Sequence, residues 1–261
     1  MIAIKHWYNG NAIASDQIQL PIDDPGLIYG ATTFTTLRVY RSLDHPLTQW
    51  NQHCDRLSTT IKAFHWQNPD WQRIRVGAER MANYPVLRIV IFPDGREWIT
   101  GRFLPPDLAQ RQQQGITAWV ADAELARSLP QHKTGNYLAP WLALQSAQRS
   151  NAQEAILTDH TGNWLESSTG TLWGWKDDRW WTPPLSAGIL PGLLRSRLIS
   201  EFNPIAEQWS LEKVHQFEAI AYTNCVMEVI PIHTVLDRDQ KYNYDSTHLA
   251  LQQLQRFFAH P

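Results

Sequence analysis

The sequence predicts an α+β protein of two domains, a smaller N-terminal one over residues 1–114 and a larger C-terminal one over residues 115–261. Strand and helix patterns alternate in the first 105 residues, and many short strands with closely spaced turn signals fill the second half. A polar, glutamine-rich run at 105–115 separates the two and predicts a solvated connection. A chain of 261 residues has room for two domains of ordinary size.

The N-terminal half predicts a small α/β domain. The run MIAIKHWYNG has a short apolar strand pattern and ends in an Asn-Gly turn, and FTTLRVY at 34–40 is a second strand. Helical periodicity covers 46–64 and continues from Pro69 to Asn83. VLRIVIF and EWITGRFL then predict two further strands.

The C-terminal half predicts a barrel-like antiparallel sheet with flanking helices. A strand, a loop around Lys133 and a helix through WLALQSAQR lead into the short strands EAILTD, WLESS, TLWGWKD and RWWTP. A helix at LLRSRLISEF, two more strands and a helix from about Thr247 complete the pattern. No GxGxxG or GxxxxGK[ST] motif follows a strand, which argues against Rossmann and P-loop folds.

Composition narrows the class of function. A net charge of −2 with 18% charged residues gives no basic stripe for nucleic acid or anionic lipid, so we expect a small-molecule substrate. The N-terminus does not resemble a leader peptide, and no segment approaches the roughly 20 apolar residues of a membrane helix. Two cysteines form no disulfide framework and fit a reducing cytoplasm, and ten histidines without an HExxH pair predict no metal site.

Two residues are candidates for covalent chemistry. Lys133 is one of six lysines and lies in a small, polar, turn-prone run, HKTGNYL, that gives an amine room to condense with an aldehyde. Glu166 ends an apolar strand, where a buried carboxylate needs a cationic partner such as a protonated pyridine nitrogen. Taken singly, each is equally consistent with a solvated loop lysine or an edge-strand glutamate that faces water.

A third candidate feature is an anion site. The run SAGILPGLLRSRL opens a helix at Gly192, where the backbone N–H groups of Gly192, Leu193 and Leu194 can converge on a phosphate. Arg56 adds a fork of charged donors from an amphipathic helix. Taken singly, the turn is equally explained as an ordinary helix start, and Arg56 as an arginine on a solvated face. Only the two together indicate a phosphate site.

Five motifs in order, HCDRL, HKTGNYL, GNWLESSTGTLW, TPPLSAGILPGLLR and TNCVMEVIPI, resemble the class IV, fold-type IV pyridoxal phosphate enzymes. This family, which includes D-amino acid and branched-chain aminotransferases and 4-amino-4-deoxychorismate lyase, implies a homodimer with the active site near the interface. It also implies that Lys133 forms the Schiff base, that Glu166 contacts the pyridine nitrogen, and that Arg56 with the 192–194 turn binds phosphate. Further cofactor contacts implied are Tyr137, near the phenolic oxygen, Asn224 and Cys225.

Three differences favour the lyase branch, which makes 4-aminobenzoate for folate biosynthesis. Leu194 replaces the threonine of the aminotransferase phosphate turn, TNCVME with Asn224 replaces GTAAE, and Thr35 and Thr36 replace an FEGIR-like strand. An aminotransferase is the alternative, and a non-catalytic binding protein is a third interpretation. Departures from both branches, at Ala31, Thr32 and Thr171, affect the expected shape of the pocket.

The lyase interpretation predicts roles for further residues. Lys133 would remove the ring proton at the carbon that bears nitrogen, and Thr35 or Thr36 would relay a proton to the leaving enol. Arg38 or Asn224 would hold a substrate carboxylate. The threonines are also good strand residues, and Arg38 equally fits the polar face of a strand.

Overall fold

The computed structural model describes residues 6–258, and it confirms the predicted α+β fold class. The expected N-terminal strand begins outside this range, since residues 1–5 are not among the described residues. The strands are β1 (His6–Tyr8), β2 (Asn11–Ile13), β3 (Thr33–Arg38), β4 (Val86–Ile91), β5 (Glu97–Arg102), β6 (Ile116–Val120), β7 (Glu154–Thr158), β8 (Trp164–Ser167), β9 (Thr171–Lys176), β10 (Arg179–Thr182), β11 (Ile205–Ala206), β12 (Ala219–Asn224), β13 (Glu228–Asp237) and β14 (Gln240–Asn243). The helices are α1 (Pro25–Ile28), α2 (Trp50–Ala63), α3 (Trp71–Arg80), α4 (Leu108–Gln114), α5 (Leu138–Arg149), α6 (Leu193–Phe202), α7 (Leu211–Val214) and α8 (Leu249–Arg256).

The chain forms two compact units. The first contains the residues up to Pro105 together with His132–Asn136, and the second contains Pro106–Gln131 and the residues from Tyr137 onward. The short segment around Lys133 therefore belongs to the first unit although the second unit flanks it in sequence. The domain boundary expected between residues 114 and 115 stays a prediction.

The first unit is an antiparallel sheet of order β2-β1-β5-β4-β3 with helices α2 and α3 against it. Its core is fully buried and includes Leu37 on β3, Leu57 on α2, Ile74 on α3 and Ile89 on β4. Helix α3 begins where Asp70 accepts a hydrogen bond from the N–H of Arg73, as expected for an N-cap aspartate. The segment of Lys133 adds to the edge of β3, because Thr134 forms an antiparallel bridge with Thr33.

The second unit is a curled sheet of order β11-β10-β9-β12-β13-β6-β7-β8, with β14 on β13. The predicted antiparallel sheet is corrected here, because β6 pairs parallel with both β7 and β13, and β10 pairs parallel with β11. Parallel neighbours require a long crossover, usually a helix. Helix α5 lies between β6 and β7, and α6 lies between β10 and β11, so these helices permit the parallel pairs.

The polar run at 105–115, expected as a solvated connection, is a helix in the structure. Helix α4 covers Leu108–Gln114 and anchors itself through Leu108, which is buried. Arg111 forms an i, i+4 ion pair with Asp107. Glutamine and arginine are good helix formers, and the Gln112 side chain adds hydrogen bonds to the Met227 carbonyl and the Glu228 carboxylate.

Within residues 6–258 no helix combines the length and apolar character needed to cross a membrane. Cys54 and Cys225 are both in the thiol form, with no disulfide between them. Cys225 is half-buried and packs against the core that α6, α8 and the sheet of the second unit share.

Candidate active site

Lys133 is held by the end of strand β3. Its backbone carbonyl accepts the N–H of Phe34 at 2.8 Å and the hydroxyl of Thr33 at 3.2 Å. The Lys133 Nζ lies 4.6 Å from the centre of the Phe34 ring. The amine therefore lies against an aromatic face, and its main chain is fixed by β3.

Gly135, two residues after the lysine, is required by Thr32. A Cβ added at Gly135 would lie 2.1 Å from the Thr32 Oγ1, and the Gly135 N–H already donates to the Thr32 carbonyl at 2.7 Å. Thr32 is one of the positions at which the chain departs from the family pattern. The glycine of the lysine motif and this departure are thus parts of one close contact.

Thr35 lies on the helix side of the sheet and joins Arg56 and His53, which α2 carries. The Arg56 Nη2 donates to the Thr35 Oγ1 in a short hydrogen bond, and that oxygen is 2.5 Å from the His53 Nδ1. Burial lowers the pKa of His53 well below its ordinary value, and the charges of Arg56 and Lys133 act in the same direction. The imidazole is therefore neutral at physiological pH, and its Nδ1 shares a hydrogen bond with the Thr35 hydroxyl.

Replacing Thr35 by valine is expected to destabilise the first unit by about 1–3 kcal/mol, because the arginine and the imidazole both lose a buried partner. Urea unfolding of the cofactor-free protein measures this loss. The matched control is Thr36→Val on the opposite face of the same strand, for which we expect a change within about 0.5 kcal/mol. Equal losses for the two variants would contradict the assignment.

The opposite face of β3 carries cations. Thr36 pairs with Arg88 across β3 and β4, so both side chains lie on the face that also presents Phe34 and Arg38. The Arg88 guanidinium lies 3.7 Å from the centre of the Phe34 ring, on which Lys133 also rests. Arg38, the predicted carboxylate-binding residue, therefore shares its face with a second arginine.

In the second unit Glu166 is buried and already has a cationic partner. The Arg127 Nε donates to the Glu166 Oε1 at 2.7 Å, and these side chains are 7% and 4% exposed. Burial alone would lower the pKa of Arg127, but the charge of Glu166 raises it above its ordinary value. The backbone N–H of Leu190 donates to the Glu166 Oε2 at 3.3 Å. The carboxylate is thus fixed through both oxygens.

Tyr137 is joined to the same arginine. Its hydroxyl donates to the Ser168 carbonyl in a short hydrogen bond, and the Arg127 Nη2 donates to both the Tyr137 hydroxyl, at 3.2 Å, and the Ser168 carbonyl, at 3.1 Å. Burial raises the pKa of Tyr137, so its hydroxyl stays protonated. Two predicted cofactor contacts, Tyr137 and Glu166, therefore share Arg127.

The predicted phosphate turn begins helix α6. Gly192 is the N-cap and provides no side-chain cap, so the first N–H groups of the helix point out of its end. A Cβ at Gly192 would lie 3.1 Å from the Thr171 Oγ1, another position of departure. Leu193 is the first helical residue, and the Leu194 side chain is buried in the core beside Trp173 and Leu198. An anion at this turn would be held by backbone donors.

Asn224 fixes the turn between β12 and β13. Its Oδ1 accepts the N–H groups of Val226, at 2.9 Å, and Met227, at 2.8 Å. Its Nδ2 is directed to the Thr169 Oγ1, at 3.5 Å. The neighbouring Cys225 packs against the core of the second unit.

The residues present fit pyridoxal phosphate. Lys133 supplies the amine, the buried Glu166 supplies a carboxylate for a pyridine nitrogen, and the uncapped end of α6 supplies backbone donors for a phosphate. Lys133 and Arg56 belong to the first unit, and Glu166 and the start of α6 belong to the second.

Sequence reasoning missed Arg127, Arg88 and the role of His53. Arg127 is a lone arginine in an irregular segment, and its partner Glu166 is 39 residues away, so no local pattern marks it. His53 carried a signal, since it stands three positions before Arg56 on one helix face. Arg88 is inside an apolar strand, and a charged residue in such a run was the signal available.

Comparisons with known proteins match the chain to one family. A model of the family described as amino-transferase class IV matches residues 32–235. The branched-chain-amino-acid aminotransferase of Escherichia coli strain K12 is 24% identical over 268 residues, which cover 88% of this chain and 84% of the relative. A crystal structure of the Escherichia coli branched-chain amino acid aminotransferase has a TM-score of 0.83 at 23% identity, with 99% of this chain and 94% of that chain covered.

Two further similarities bear on the site. The aminodeoxychorismate lyase of Vibrio harveyi is 20% identical over 261 residues, covering 91% of this chain and 94% of the relative. The pyridoxal phosphate-bound form of a hypothetical aminotransferase from Mycobacterium tuberculosis has a TM-score of 0.77 at 18% identity, covering 96% of this chain and 96% of that chain. The structural matches confirm the predicted fold-type IV architecture.

Proposed function

Because the chain belongs to the amino-transferase class IV family, whose members depend on pyridoxal phosphate, we propose that it is a 4-amino-4-deoxychorismate lyase. Such an enzyme eliminates pyruvate from its substrate and leaves 4-aminobenzoate. Dependence on the cofactor follows from the family, whereas the choice of a lyase over an aminotransferase is a separate step. That step rests on this chain's own residues.

The observation that carries the lyase proposal is the turn at Asn224. An asparagine at this position resembles the pattern of the lyases. The Asn224 side-chain carbonyl accepts hydrogen bonds from two backbone N–H groups, and this orients the amide nitrogen toward Thr169. A side chain oriented in this way offers a fixed donor for a substrate carboxylate or ether oxygen.

Leu194 and the threonine pair support the same choice. The buried Leu194 leaves the phosphate turn to backbone donors, as in lyase-like members. Thr36 lies on the face of Phe34, Arg38 and Arg88, whereas Thr35 is committed to Arg56 and His53. We therefore propose Thr36 as the proton relay and Thr35 as a residue that orients Arg56.

The proposed reaction assigns tasks to five polar side chains. When bound, pyridoxal phosphate supplies an electron sink for negative charge at the substrate carbon that bears nitrogen. The Lys133 Nζ takes the proton from that carbon, and the Glu166 carboxylate holds a proton at the pyridine nitrogen. Arg38 and Arg88 hold carboxylates of the substrate. The bond between the ring carbon and the ether oxygen breaks and the enolate of pyruvate leaves, and the Thr36 hydroxyl relays to its methylene carbon the proton that Lys133 took, which gives pyruvate.

An aminotransferase is the second candidate, and it is favoured by the greater identity to the Escherichia coli branched-chain enzyme, 24% against 20% for the Vibrio harveyi lyase. It would use the same lysine but would move an amino group between an amino acid and a 2-oxo acid. Arg38 and Arg88 fit the carboxylates of either substrate class, so they do not separate the two.

A product assay decides between them. Protein loaded with pyridoxal phosphate is given aminodeoxychorismate, and we expect 4-aminobenzoate and pyruvate in equal amounts. The same preparation is given branched-chain or D-amino acids with 2-oxoglutarate, and we expect no amino transfer above background. Amino transfer without either lyase product would overturn the proposal in favour of the aminotransferase.

We also propose a cytoplasmic homodimer. Helix α5 exposes Leu138, at 61%, and Trp141, at 51%, and exposed large apolar side chains on one helix are typical of subunit contacts. Sedimentation of the protein should give twice the mass of one chain. A monomer at micromolar concentration would contradict the dimer.

A further inference from the structure

Glu154, at the start of strand β7, is a buried carboxylate to which the proposed reaction gives no task. It is 2% exposed, and it accepts the Ser168 hydroxyl and the Ala155 N–H on one oxygen and the Thr169 hydroxyl on the other. The two hydroxyl contacts are short. Glu154 thus holds Ser168 and Thr169, two of the three residues of the turn that connects β8 and β9.

The turn itself has little freedom. The Ser168 N–H donates to the Ala155 carbonyl at 2.8 Å, and a Cβ at Gly170 would lie 2.4 Å from the Thr223 carbonyl oxygen. The turn is therefore pressed onto the backbone of β12 on one side and tied to β7 on the other. Because the turn is closely packed on both sides, a change in the contacts of Glu154 is passed on to the turn.

Ser168 connects Glu154 to one group of site residues. The Ser168 carbonyl accepts the Tyr137 hydroxyl and the Arg127 Nη2, and Arg127 in turn holds Glu166. The peptide that Glu154 fixes through the Ser168 side chain is thus the peptide that orients Tyr137 and, through Arg127, the Glu166 carboxylate.

Thr169 connects Glu154 to a second group. The Thr169 Oγ1 donates its proton to Glu154 and receives the Asn224 Nδ2 at 3.5 Å. Since Glu154 takes the hydroxyl proton, the Thr169 oxygen presents lone pairs to the amide. Two backbone N–H groups hold the Asn224 carbonyl, and the Thr169 oxygen set by Glu154 holds the amide nitrogen at the other end.

We propose that Glu154 is a positioning residue that sets Tyr137 and Glu166 through Ser168, and Asn224 through Thr169. The inference rests on the proposed roles of those residues toward the cofactor and the substrate. The cofactor half of it stands whether the enzyme is a lyase or an aminotransferase.

The free-energy cost of burying the Glu154 carboxylate indicates that the residue is present for function and not for stability. Its donors are two hydroxyls and a peptide N–H, which compensate a buried carboxylate less well than a cation does. Burial raises the pKa of Glu154, against the hydrogen bonds of Ser168 and Thr169, which lower it. An apolar residue would cost less to bury at this place, but it would leave the Ser168 and Thr169 hydroxyls without their acceptor.

The test uses the holoenzyme and separates the two connections. Ser168→Ala is expected to shift the pH midpoint of the bound cofactor's visible absorption by about one unit, because Tyr137 and Glu166 lose their orientation. Thr169→Val is expected to leave that midpoint in place and to raise KM for aminodeoxychorismate about tenfold through Asn224. Glu154→Met should show both effects, and Glu154→Gln, which can still meet both hydroxyls, should restore most of each.

Thr158→Val is the matched control. It removes a buried hydroxyl that donates to the Ala121 carbonyl from the same strand β7, with no connection to the turn. We expect a wild-type midpoint and a wild-type KM for it. A wild-type midpoint in Ser168→Ala, or equal effects in Thr158→Val, would overturn the inference. If Glu154→Met does not fold, Ser168→Ala and Thr169→Val still decide it, and the spectral result holds even if the lyase assay fails.

Discussion

Replacing Lys133 by alanine is expected to reduce turnover by about 10⁴-fold or more, because the variant loses both the amine that condenses with the cofactor and the base that removes the substrate proton. The structure adds a reason to expect a folded variant. The main chain of Lys133 is held through its carbonyl by Thr33 and Phe34, and this contact does not involve the side chain. Turnover is measured with whichever substrate the product assay identifies.

Borohydride reduction of the holoenzyme supplies the second readout. Mass spectrometry of the digested wild-type protein should find a pyridoxyl group on the peptide that contains Lys133, and Lys133→Ala should have none. Lys133→Arg is the matched variant, since it keeps a cation against the Phe34 ring but cannot condense with the aldehyde. Lys62, an exposed lysine of helix α2, is the surface control. A pyridoxyl group on another lysine would refute the assignment and the mechanism with it.

Replacing Arg127 by methionine is expected to lower the free energy of unfolding of the cofactor-free protein by about 3–5 kcal/mol, because the buried Glu166 loses its cation. The Arg127 Nε to Glu166 Oε1 distance of 2.7 Å and the 7% and 4% exposure of the two side chains place the pair in the class of buried ion pairs. Urea unfolding followed by tryptophan fluorescence measures the loss.

The second half of this prediction is a double variant. Arg127→Met combined with Glu166→Gln removes both charges, and it should recover most of the stability that Arg127→Met alone loses. Its activity should nevertheless stay low, since no carboxylate remains for the pyridine nitrogen. If the single and double variants are equally stable, the stability lost in Arg127→Met does not come from leaving Glu166 without its cation. The assignment of Arg127 as the partner of Glu166 would then fail.

The sequence predicted the elements of this fold well where hydrophobic periodicity was strong. Strand β4 and helix α2 lie close to the patterns that predicted them, since the apolar faces of both are buried in one core. The 105–115 run is a helix where a solvated connection was expected, because its polar composition gave no sign of the buried Leu108 or of the hydrogen bonds that Gln112 makes. The parallel pairs of the second sheet were not predicted. Whether two strands pair parallel or antiparallel depends on which strands lie side by side, and local sequence patterns do not show this.

The candidate site was also predicted in part from the sequence. The order of the motifs around Lys133, Glu166 and Asn224 identified the family, because each motif is local and its residue types are set by the chemistry that they perform. Whether Thr35 or Thr36 faces the cationic side of β3 depended on the register of the sheet, which alternates side chains between its faces.

The sequence by itself determined the family, the cofactor and the candidate residues of this protein, because these depend on short runs of fixed spacing. The tertiary structure alone decided the partners: Arg127 for Glu166, His53 and Arg56 for Thr35, and Glu154 for the turn at Ser168. The physical reason is that a buried charge or hydroxyl takes the donor that folding brings within about 3 Å, and that donor comes from any distance along the chain.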